Sequence, residues 1–173
     1  MKLRRAIIAG VVGGIVVIII MAIAGAISGA DADLSALGGA VIIGREGAGS
    51  WLIGCVAQIV VAIVAALAYA AIFEWVVRRG GPIVGFVVAL GHVVIAGIAV
   101  GFLPVSGMLS VGMSPPGAFL EYRGPWVIGA FVFAHLAFGT IVGAIYGKSV
   151  HRASPPPAKW REVTLESARR SSV

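Results

Sequence analysis

Asparagine is absent from this chain, so it carries no N-glycosylation acceptor. Cysteine occurs once, as Cys55 inside an apolar run. That excludes an intramolecular disulfide and leaves the redox compartment unencoded; the thiol reads as a small apolar filler. Charge is scarce as well, at 12% of residues, against roughly 25% in soluble domains. There is no HExxH, no CxxC, no nucleophile elbow and no kinase or P-loop pattern, so no residue set nominates an enzyme or a metal site. What is plentiful is apolar: 60% hydrophobic residues, 25 glycines and a mean hydropathy of +1.05. The net charge of +6 does not point to nucleic acid, because the cations cluster at the ends of apolar runs and form no basic face interleaved with aromatics.

The runs are long enough to cross a bilayer, which takes about 20 residues each. They predict an all-α, polytopic four-helix bundle with spans at about 6–28, 51–77, 82–103 and 125–147, followed by a basic Pro/Ser-containing tail over 148–173. The first run follows Met1–Arg5 (MKLRR) and continues from Ala6 to about Ile27. It exceeds the ~7–15 apolar residues of a signal peptide, so a retained span is expected despite the small residues at Ser28-Gly29-Ala30. The stretch LSALGGAVIIG, inside the connection Asp31–Ser50, is apolar but too short to span; it lies at the interface or dips into the bundle. GREGAGS (Gly44–Ser50) lacks the flanking strand and Lys-Ser/Thr of a phosphate loop and reads as a flexible turn. Trp51 and Trp75 stand near the two ends of the second span, where amphipathic rings favour the interface. Glu74 precedes Arg78 by four residues, the order of a helical ion pair at the membrane rim. The tail reads as disordered, with KWREVTLESARR, anchored by Trp160, as an alternative interfacial helix.

Orientation follows from the basic residues. Lys2, Arg4, Arg5, Arg78, Arg79, Lys148, Arg152, Lys159 and Arg161 share one side of a four-span arrangement. Arg45 and Arg123 fall on the other, with Asp31, Asp33, Glu46 and Glu121. The positive-inside rule then puts both termini and the Arg78-Arg79 turn in the cytoplasm.

Lipid tails are as apolar as leucine, so small residues must bring the spans together. Candidate packing positions are Gly25 and Gly29, Ala66 and Ala70, and Gly85, Gly97 and Gly101. The last span adds a glycine-zipper series, with His135 followed by Gly139, Gly143 and Gly147 at four-residue intervals. Such a series forms one slowly drifting stripe on a helix. Small-residue stripes on several faces leave room for a homo-oligomer or a larger membrane complex, besides the bilayer itself.

Few polar side chains lie deep: Gln58, His92, His135 and Thr140. His92 follows Pro82, and His135 follows Pro125, by the same ten residues, which is ~15 Å along a helix. The two spans run in opposite directions, so both imidazoles are expected near the midplane. Each shares its face with small residues, His92 with Gly81, Gly85, Ala96 and Ala99, and so faces other spans. A charge at that depth costs several kcal/mol, which favours neutral imidazole. Three uses compete. Each histidine is an interhelical hydrogen bond without chemistry; or the pair belongs to a proton, ion or solute path with Gln58 or Glu74; or both are axial ligands of a haem or another tetrapyrrole.

The segments PPGAFL and HLAFGTIVGAIYG resemble the final part of small four-span bacterial membrane proteins of uncharacterised function. That resemblance implies a four-span fold and a multi-pass place in the bacterial inner membrane, and it brings no activity or cofactor.

Overall fold

A computed structural model describes residues 1–29, 32–102, 112 and 114–150. Asp31, most of the 103–113 connection and the tail from His151 onward lie outside the described residues, and with them the tail readings.

The described residues form helices and no strand. In order they are α1 (Leu3–Ser28), α2 (Leu34–Ile43), α3 (Ala48–Ala71), a π-helical turn (Ile72–Val77), α4 (Pro82–Gly101), a 3-10 turn (Ala118–Arg123), α5 (Pro125–Tyr146) and a short 3-10 turn (Gly147–Ser149). Four of these helical stretches are long and apolar enough to cross a membrane: Leu3–Ser28, Ala48–Val77, Pro82–Gly101 and Pro125–Ser149. Their boundaries have local causes. Pro82 and Pro125 sit in the first helical turns of α4 and α5, where a missing N–H costs nothing. Gly29 and Gly44 close α1 and α2 in the left-handed region, at φ 65° and 75°, which glycine enters without a Cβ penalty.

The connection between the first two spans carries its own helix. Asp33 caps α2 by accepting from the backbone N–H groups of Ser35 (2.8 Å) and Ala36 (3.2 Å). Its other oxygen accepts from the indole of Trp51 at 2.7 Å, so one carboxylate ties the starts of α2 and α3 together. The two helices form a hairpin in which Gly39 lies on the Ser50 backbone and Gly54 on that of Ser35. LSALGGAVIIG thus forms α2, packed against the first turns of α3.

The bundle is organised around α5. Antiparallel α1 packs on it with Gly13 under the Phe138 ring, and on α3 with Gly10 and Gly14 against Ala62, Ile63 and Ile59. On its other side α5 meets antiparallel α4 through bare backbone, pairing Gly139 and Gly143 with Gly85, Gly143 with Gly81, and Gly147 with Gly80 and Gly81. The outward faces of α3 and α4 expose Val60, Val61, Val64, Ile83, Val87 and Ile95. An apolar surface of that extent suits lipid and not water.

Three packing expectations need correction. Gly97 and Gly101 do not join two spans; a Cβ there would meet Phe119 and Ala118 of the connection. That connection folds back onto α4, with Phe119 and Leu120 held left-handed at φ 53° and 62°. Such a conformation costs about 1–2 kcal/mol per non-glycine residue and is offset here by burial of Leu120 and the packed Phe119 ring. In α1, Gly10, Gly13 and Gly14 make the close approaches, while Gly29 has open space around it. Toward that end an apolar groove of about 480 Å³ lies between α1 and α5, lined by residues that include Ile20, Ile27, Trp126 and Phe133. Third, Glu74 is not bonded to Arg78. The π turn breaks the four-residue spacing, and Arg78 leaves the helix at φ 53°. Glu74 accepts from the Tyr146 hydroxyl at 2.6 Å and lies 3.4 Å from the Met1 amine.

These contacts also sort the ends. Lys2 N–H donates to Tyr146 Oη (3.1 Å) and Arg5 to Ser149 Oγ (2.9 Å). Lys2, Arg4, Arg5, Arg78, Arg79 and Lys148 therefore gather at one end of the bundle, and Asp33, Glu121 and Arg123 at the other.

Candidate functional site

The glycine crossing of α4 and α5 decides where the histidines fall. Both helices begin with proline ten residues before the imidazole, and they run antiparallel with backbones touching at Gly85 and Gly139. The rings accordingly meet, with centroids 5.3 Å apart and planes at 72°.

Each ring spends one nitrogen on the bundle. His135 is 8% exposed, and its Nδ1 lies 2.8 Å from the Phe131 carbonyl one turn earlier on α5. A carbonyl only accepts, so Nδ1–H donates there and Nε2 keeps the lone pair in the neutral ring. His92 Nδ1 shares a hydrogen with the Tyr69 hydroxyl of α3 at 3.2 Å. One of the two bonds, then, is interhelical, and the other stays within its own helix; the expectation of an interhelical bond at both histidines is corrected to that extent. Thr140 behaves like His135, donating to Leu136 O at 2.8 Å.

Aromatic rings close around the pair. Phe131 lies 4.2 Å from His135, Phe138 lies 5.7 Å from His92, and Tyr69 stands edge-on to His92 at 5.6 Å. Tyr69 also meets Phe138 and Phe73 edge-on, at 5.8 and 5.9 Å. Tyr69 is the residue that sequence reasoning missed. The available signal was a hydroxyl deep inside a span, which must find a partner when buried.

The expected polar path is not joined. Glu74 belongs to the cationic end with Tyr146, and Tyr146 lies eleven residues beyond His135 on α5, ~16 Å away along the axis. Gln58 lies as far before Tyr69 on α3, is half-buried, and makes no side-chain hydrogen bond among the described residues. Phe73 and Phe138 fill the space beside Tyr69.

A tetrapyrrole does not fit these residues. Axial ligation needs a flat macrocycle between the two imidazoles, and here the imidazoles are in edge contact with each other. The helices that carry them touch through the backbones of Gly85 and Gly139. Among the described residues no three His, Cys, Asp or Glu side chains come close enough to hold a metal ion. The arrangement is a pair of imidazoles, one bonded across helices and one within its own helix, inside an aromatic collar.

Comparison with protein-family models, with curated proteins and with solved structures finds no match for this chain.

Proposed function

We propose that this chain is a multi-pass protein of the bacterial inner membrane that acts as a non-enzymatic helix-packing or accessory component, alone or within a larger membrane assembly. The observation that carries this reading is the use of the two deep imidazoles. His92 and His135 are spent on Tyr69, on the Phe131 carbonyl and on each other's rings, and among the described residues no side-chain hydrogen bond links either of them to Gln58 or to Glu74. A neutral hydrogen-bonded pair in a span is a cohesive element.

The test separates cohesion from conduction. Tyr69→Phe and His92→Leu should each lower the unfolding free energy in detergent by about 0.6–2 kcal/mol. The double variant should lose little more than the larger single loss, because both remove the same bond. In liposomes under a proton gradient, wild type and His92→Ala/His135→Ala should leak alike. A wild-type proton or solute flux abolished by that pair would replace this reading with a transport role.

The cytoplasmic placement of both termini belongs to the same proposal. It rests on six cations gathered at one end of the bundle by the Met1–Glu74, Lys2–Tyr146 and Arg5–Ser149 contacts and on the positive-inside rule. Reporter fusions after residue 80 should be active only as cytoplasmic reporters, and fusions after residue 46 only as exported ones. The opposite pattern would reverse the orientation.

A further inference from the structure

Where α4 and α5 cross at the cationic end, Gly80, Gly81, Gly143 and Gly147 present backbone alone, and a groove of about 1040 Å³ opens beside them. Arg78, Arg79 and Lys148 supply the cations of its lining, and Pro82, Val84 and Ala144 are among its apolar residues. We propose that this groove binds an anionic phospholipid of the surrounding leaflet, with the phosphate among the three cations and the first methylenes along Val84 and Ala144.

Arg78, Arg79 and Lys148 make no hydrogen bond or ion pair among the described residues. Glu74, the acid expected to neutralise Arg78, is turned to Tyr146 and the Met1 amine. The start of α4 adds to the field, since its N-cap is Gly81 with no side-chain cap and a helix N-terminus carries partial positive charge. The depth is also right. The groove lies where the second span ends at Val77 and the third begins at Pro82, the level at which headgroups meet basic pockets between helices. Finally, the lining has two characters, cationic and apolar. A free phosphate has no use for an apolar wall; a lipid needs both.

Native mass spectrometry of the full chain in mild detergent, with phosphatidylglycerol or phosphatidylcholine added, tests the site. Wild type should retain phosphatidylglycerol in preference. Each cation near a surface is worth about fivefold in affinity, so Arg78→Gln/Arg79→Gln/Lys148→Gln should erase a preference of roughly a hundredfold. Lys2→Gln/Arg4→Gln, which removes cations at the same end outside the groove, should leave it intact. Ala144→Leu, which narrows the apolar wall without touching charge, should weaken retention by itself and keeps the test decisive if the triple variant fails to fold. Equal loss in the Lys2/Arg4 control, unaltered retention by Ala144→Leu, or displacement by glycerol phosphate as effectively as by lipid would each overturn the proposal.

Discussion

Gly85→Leu should unfold the contact between α4 and α5 and with it the histidine pair. A Cβ at Gly85 falls on the Gly139 carbonyl and against the Gly143 backbone, and backbone in a helix has no rotamer to give. Overpacking a tight core costs about 1–3 kcal/mol when side chains can yield; here the helices must separate, so a loss of at least ~3 kcal/mol is expected. That outweighs the ~1 kcal/mol by which leucine is the better helix former. Gly91→Leu is the control within α4. No atom lies within 4 Å of its Cβ position, so the helix-propensity gain stands alone and stability should be unchanged or slightly raised. Circular dichroism followed through denaturant titration in detergent reads both variants. Equal behaviour of the two would show that α4 does not pack on α5 through Gly85.

That contrast also marks how far the sequence is legible. Four spans can be read from composition because a bilayer tolerates only long apolar stretches whose backbone is satisfied internally, and Pro82 and Pro125 mark two of the starts. The common depth of His92 and His135 follows from those same prolines and a fixed rise per residue. Rotation about the helix axis is another matter. It decides that Tyr69 meets His92, and it depends on how the helices seat on one another, as where Gly10 and Gly14 of α1 meet α3, a pairwise fit with no one-dimensional signature. Glu74 and Arg78 have the spacing of an ion pair, yet a π turn and a left-handed arginine separate them. Gly97 and Gly101 have the spacing of a helix interface, yet the chain itself returns, as Phe119 and Ala118, to cover them. Spacing identifies which positions can approach closely; the partner is chosen by the tertiary arrangement.

The hairpin of α2 and α3 makes the same point with a second large effect. Gly54→Leu should detach α2, because a Cβ there collides with the Ser35 carbonyl, and the reciprocal position Gly39 collides with Ser50. Two glycines on two helices thus guard one crossing, and neither helix can slide to relieve the other while Asp33 holds the Trp51 indole and the first turn of α2. The expected loss is again ~3 kcal/mol or more, but it is local. The α4–α5 crossing and the His92–His135 contact lie elsewhere in the bundle and should survive. Hydrogen exchange resolves this: Gly54→Leu should release amides of residues 35–43 while those of 85–97 and 131–143 stay protected. Gly49→Leu, five residues earlier with open space at its Cβ, should release neither set. Exchange spreading to all four spans after Gly54→Leu would mean that α2 is part of the cooperative core; with protection retained at 85–97, α2 is an appendage held by one carboxylate and two missing side chains.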